Sequence, residues 1–204
     1  LGERVLAAVD EMGAFALLAL RALAAVPRRR FPLREFFVQF ESIAVRSSSI
    51  VLITALFTGM VLALQSVASL SRFGAKPYTG SFVGLAFVLE LGPVLTAVVL
   101  AGRVGAGISA ELGSMAVSEQ VDAIRAMGAD PVQKLVLPRV VAATLCLPLL
   151  TVLANVLGIL GGLLIADWQY LSASFYYQSV IRTVELADLA NGLVKTFFFG
   201  WIIA

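Results

Sequence analysis

Residues 90–128 read ELGPVLTAVVLAGRVGAGISAELGSMAVSEQVDAIRAMG. A carboxylate stands inside an apolar run, small residues follow at helical spacing, and the stretch closes on charges that lipid does not hold. That order describes a membrane helix broken near Gly92-Pro93 and leading into a charged element at one membrane face.

The rest of the chain fits that solvent. Hydrophobic residues make up 60% and charged residues 14% of the sequence, with a mean hydropathy of +0.96, whereas soluble domains are about one quarter charged. Four apolar runs suit a hydrocarbon core about 30 Å thick: residues 47–70, 79–108, 135–166 and 186–204. They are continuous rather than alternating, which favours helices over barrel strands. The expected class is all-α: a single polytopic membrane domain over 1–204, with four to five membrane helices.

Basic residues set the orientation. Eleven (Arg4, Arg21, Arg28, Arg29, Arg30, Arg34, Arg46, Arg103, Arg125, Lys134 and Arg139) fall before the first run or between the second and third. Three, Arg72, Lys76 and Arg182, fall on the other side. The N-terminus and the 103–139 region are therefore expected in the cytoplasm; Lys195 lies inside the fourth run and counts for neither side. The sequence starts at Leu1 and stops within an apolar run, and a further helix is expected beyond it. No signal-peptide pattern suggests export, and the lone Cys146 allows no disulfide within the chain.

Residues 1–46 are too polar to span. Val5, Leu6, Val9, Phe15, Leu18 and Leu23 alternate with charges over 1–26, and Arg28-Arg29-Arg30 follow. An amphipathic interfacial helix at the anionic leaflet is the expectation, with an ordinary cytoplasmic helix as the alternative. A second surface-lying piece is expected over 33–45, carrying Phe36, Phe37 and Phe40.

Several chemistries are excluded. Without histidine there is no Ser-His or Cys-His pair and no His-based metal site. No GxxxxGK[ST] stretch occurs, so nucleotide phosphates are not cradled in the Walker manner. Glu90 is the sharpest signal, since a carboxylate midway through a span is costly and usually functional. Pro93 frees the carbonyl of Leu89 and predicts a kink beside it. Three readings of Glu90 stay open: pairing with Lys195 of the fourth run, direct contact with a substrate, and a neutral carboxyl raised by desolvation.

Gly102, Ala106 and Ala110 form one small-residue ladder, and Gly105, Ser109 and Gly113 a second. Gly80-Gly84 and Gly158-Gly162 repeat the spacing. Each is read first as packing within the chain and second as a seam between copies. Within a cytoplasmic segment at 114–131, residues 118–128 read as a short helix with a Ser118 cap, an acidic first turn and a Gly128 stop. It is either a solvated connector or a handle for a soluble partner.

The run from Glu90 to Arg139 closely resembles the signature region of the MlaE (YrbE) family of ABC transporter permeases. Agreement continues through Thr58 to Gln65, Arg72-Phe73-Gly74, Pro148-Leu149-Leu150, Gly158, Gly161-Gly162 and Lys195 to Gly200. The match covers nearly everything from Arg34 onward. Leu89 departs from it, standing where members commonly carry Arg before Glu-Leu-Gly-Pro. Asp122-Ala123 with Gly128 also looks like a degenerate EAAxxxG coupling motif of ABC importers.

The resemblance implies a homodimeric permease, with no cofactor of its own, in a bacterial inner membrane or a plastid envelope. It implies phospholipid as cargo and a cytoplasmic ATPase, which binds ATP and Mg. It also implies an MCE-domain protein on the far side and, in some members, a STAS-domain protein; nucleic acid has no part. Glu119, Val121, Asp122, Ile124, Arg125 and Gly128 would meet the ATPase. Leu62 and Phe87 would contact acyl chains, with the head group near Gln65, Glu90 and Lys195. The family's Gly-rich loop and last membrane helix are expected after Gly200. Three alternatives stand beside this: a non-catalytic membrane scaffold, a lipid-modifying enzyme, and a permease for another hydrophobic or a small polar solute.

Overall fold

Every fourth residue of one long helix is buried: Ile43, Ser47, Val51, Ala55, Gly59, Ala63 and Val67. Side chains four apart share a face, and here that face is mostly small, so a neighbouring helix can approach closely. The helix is α1, Leu33–Ser71. The computed structural model describes residues 33–169 and 171–204, together with Leu6, Val9, Asp10, Gly13 and Leu17. The interfacial helix expected at 1–26 and the Arg28-Arg29-Arg30 cluster lie outside the described residues.

After α1 come α2, Lys76–Val117, and the short α3, Gln120–Ala126. The long α4, Val132–Trp168, is followed by α5, Ala173–Thr183, and α6, Leu186–Ile203. Four of these, α1, α2, α4 and α6, are long and apolar enough to cross a membrane. The fold is all-α and the chain is a multi-pass membrane protein. Ile53, Phe57, Val61 and Leu64 of α1 and Val152, Val156, Leu160 and Leu164 of α4 are exposed. Such stripes are anomalous in water and ordinary against acyl chains.

α4 is the hub, packed against α1 along much of its length and against α6 on another side. At one crossing a Cβ on Gly59 would stand 1.9 Å from the Gly158 carbonyl oxygen, and at another a Cβ on Gly161 would stand 2.3 Å from that of Leu56. Only glycine permits backbones this near. Gly158 also seats the Phe87 ring, while Gly162 seats Tyr176. In the same way Gly80 and Gly84 meet α5 at Tyr176, Ser179 and Val180. These two ladders therefore pack within the chain. Burial pushes the Tyr176 phenol well above its ordinary pKa.

Three sequence expectations gain detail or change. α1 runs unbroken from Leu33, so the surface piece expected at 33–45 is the start of the first membrane helix. Hydropathy falls at the membrane boundary, but the hydrogen-bond ladder does not stop there. Beside Pro93, where a kink is expected, the helix takes a wide turn over Phe87–Leu91, with Gly92 N–H donating to the carbonyl of Phe87 five residues back. Proline has no N–H to continue the normal ladder, and a local π turn absorbs the loss. Lastly, the Ser118 hydroxyl donates to Ser114 O at 2.7 Å, closing α2 rather than capping α3. The residue before α3 is Glu119, held at φ 55°, a left-handed geometry costly for a side chain with a Cβ.

Candidate functional site

Lys195 Nζ lies 2.5 Å from Glu90 Oε1 and 3.0 Å from the carbonyl oxygen of Leu89. The carbonyl that Pro93 leaves without its usual donor is thus satisfied by an ammonium from α6. Gly192, one turn earlier on α6, brings the two helices together: a Cβ there would sit 2.4 Å from Val88 O. One lysine closes both the charge and the backbone vacancy of the wide turn.

The pair is not enclosed by its own protomer. The Glu90 side chain is 65% exposed and that of Lys195 is 40% exposed. At this depth the surroundings are either acyl chains or a polar cavity, and charged groups in spans face cavities or protein rather than lipid. Behind the wide turn, Thr96 Oγ1 and Asn155 Oδ1 are buried without a hydrogen-bond partner. Asn155 Oδ1 stands 1.7 Å from where a Cβ on Gly92 would be.

The other expected contact residues are spread over two helices. Gln65 is exposed on α1, and Leu62 is half-buried against the core. Phe87 is fully buried against Gly158, so it meets lipid only if α2 and α4 part there.

α3 has a different character. Ile124 is buried and Val121 half-buried, while Asp122 and Arg125 form an exposed ion pair at 3.1 Å. Gly128, at φ +74°, ends the helix. Its N–H donates to Arg125 O at 2.9 Å, and Ala129 N–H donates to Ile124 O at 3.1 Å. This is a Schellman stop, which a positive-φ glycine accommodates without strain. Asp130 Oδ1 then accepts from Val132 N–H at 2.9 Å and starts α4. A defined three-part connector results, with apolar residues inward and charges outward.

The family model described as Permease MlaE matches residues 36–204. The chain belongs to the MlaE permease family. It is 38% identical to a probable ABC transporter permease protein of Rickettsia typhi over all of this chain and 79% of that relative. An intermembrane phospholipid transport system permease protein, MlaE, of Haemophilus influenzae is 34% identical over 98% of this chain and 77% of its own length. The chloroplastic protein trigalactosyldiacylglycerol 1 of Arabidopsis thaliana is 38% identical over 84% of this chain and 49% of its own length. The chain is an ABC permease subunit, a transport component rather than an enzyme.

Two features of the permease went unread in its sequence. Arg139, with a side chain 4% exposed, pairs with Glu111 at 2.7 Å, and Arg103 donates to the Ser47 hydroxyl at 2.6 Å. By sequence both arginines read only as topology signals. Their position inside or beside apolar runs was the available clue, since such charges need named partners. The ladders on α2 also behave unlike those on α4. A Cβ added at Gly102, Gly105 or Gly113 would meet nothing within 4 Å, and Ala106, Ser109 and Ala110 are exposed. This small-residue face is open in the protomer.

Proposed function

We propose that this permease moves phospholipid across or out of a bacterial inner membrane, between membranes, as a homodimer driven by a separate ATPase. The Glu90–Lys195 pair carries the reading: a mid-span ion pair left on an open face calls for a polar cavity. Two copies would enclose that cavity between their α1 and α2 helices, open toward the periplasm, with acyl chains on Leu62 and the head group near Gln65, Glu90 and Lys195. The phospholipid assignment is supported by the name of the Haemophilus relative. The N-terminus and α3 lie in the cytoplasm on the basic-residue count. An MCE-domain protein would exchange lipid on the far side, and a STAS-domain protein would be an accessory to the ATPase.

α3 is the ATPase handle in this scheme, presenting Glu119, Val121, Asp122, Ile124, Arg125 and Gly128 on a defined stop. ATP and Mg would be held by the partner. Closure of the ATPase would push α3 and, through the short links on either side, α2 and α4. Val121→Ala, or reversal of the Asp122 and Arg125 charges, should uncouple ATP hydrolysis from lipid transfer while the membrane helices stay folded. Reconstituted vesicles that report both rates check this, and normal transfer would sink it.

The open ladder on α2 is the proposed seam between copies. The double change Gly102→Leu and Ala106→Leu should leave protomer melting unaltered and weaken association by about tenfold or more, given overpacking costs of about 1–3 kcal/mol. Native mass spectrometry of the detergent-purified complex reads both points. Two permease copies with an ATPase and bound phospholipid support the proposal; one copy, or a bound polar solute instead of lipid, contradicts it.

A further inference from the structure

Two adjoining cavities open at the end of the bundle that holds the start of α1, the end of α2 and the start of α4. Their volumes are about 260 and 270 Å³, and both are lined by Gln39 and Glu111. Five cations, Arg34, Arg46, Arg103, Lys134 and Arg139, line them against two carboxylates, Glu35 and Glu111. Among the described residues, Arg34, Arg46 and Lys134 form no ion pair, and Arg103 has only the neutral Ser47 hydroxyl. Arg139 is buried and answered by Glu111 through Nη2, while its Nε and Nη1 have no acceptor. A buried guanidinium with two unanswered nitrogens is costly, and here it lies at the wall of a cavity already rich in positive charge.

We propose that these adjoining cavities bind the phosphate-bearing head group of an anionic lipid of the adjacent leaflet. Arg34 and Lys134, both exposed at the rim, would receive the phosphate. Basic pockets between membrane helices on the cytoplasmic side hold such head groups through attraction that bulk salt screens poorly at that depth. Glu111 is 46% exposed, so it can turn aside and leave Arg139 to the incoming anion. This goes beyond the transport reading, because the site holds its lipid whether or not that lipid is then carried. It also differs from the Glu90–Lys195 pair, which offers one acid to each base.

The test uses the full-length permease in its purified assembly, exchanged into mixed micelles containing phosphatidylglycerol or phosphatidylcholine of matched acyl chains. Native mass spectrometry counts retained lipid. Wild type should hold phosphatidylglycerol preferentially, and the double variant Arg34→Gln with Lys134→Gln should lose that retention by roughly 10- to 30-fold. Arg72→Gln, at the opposite end of the bundle, should leave it unchanged. Equal retention in the double variant overturns the proposal. Displacement of phosphatidylglycerol by excess inorganic phosphate, as readily as by the same lipid, also overturns it by making the site one for a free anion.

Discussion

Lipid transfer by the reconstituted complex should fall about 100-fold in Glu90→Ala, while the protein still inserts and its ATPase still turns over. The substitution leaves Lys195 without its acid at membrane depth, and an unpaired charge there costs about 3 kcal/mol on insertion scales, two decades in an equilibrium constant. Lys195→Ala should do as much damage by a second route, because it also strips the donor from the Leu89 carbonyl. The exchange Glu90→Lys with Lys195→Glu separates the two effects. It restores the ion pair but places no donor on α6 for Leu89, so recovery should be partial. Transfer rates near wild type in both single variants would remove the pair from the mechanism and leave it a packing device.

Gly59→Ala should be the most damaging single methyl in the described structure. The added carbon would lie 1.9 Å from Gly158 O and 2.6 Å from Gly158 C, and neither backbone atom can rotate away. The helices must separate, and α1 against α4 is the most extensive packing in the bundle. Overpacking of this kind costs about 1–3 kcal/mol, or roughly 3–10 °C in melting midpoint for a domain of this size. Thermal unfolding in detergent measures it. Gly102→Ala is the control, since nothing lies within 4 Å of its new carbon. An equal loss in both variants would show that helix propensity or lipid contact, rather than this crossing, governs the response.

The spans were legible because hydropathy reports the solvent of each segment, and four long apolar runs have few soluble explanations. Glu90 and Lys195 could be named as partners because each stands well inside an apolar run, where a charge needs a partner. Hydropathy says nothing about where a helix starts, so Leu33 to Val45 looked like a separate piece. Pro93 announced a lost hydrogen bond but not its remedy; a bend and a π turn both follow from the same missing N–H. Ser118 fits a cap by type, yet its hydroxyl reaches back to Ser114, and the turn itself falls to Glu119. Phe87 looked like an acyl-chain contact by type, and its burial depends on Gly158, a glycine 71 residues further along the chain. Whether a small-residue ladder packs at home or stays open is likewise a tertiary fact: the spacing is the same at Gly158-Gly162 and at Gly102-Ala106.

The distance along the chain between Glu90 and Lys195 matters during synthesis. The acid enters the membrane with α2, but its base is encoded 105 residues later. At about 5–20 residues per second, the ribosome takes roughly 5–20 seconds to deliver Lys195. For that interval the nascent chain carries an orphan carboxylate, which must wait beside water at the insertion channel. The fourth span then completes the second one, and a chain stopped before Lys195 would offer a quality-control protease an unfinished helix marked by its own charge.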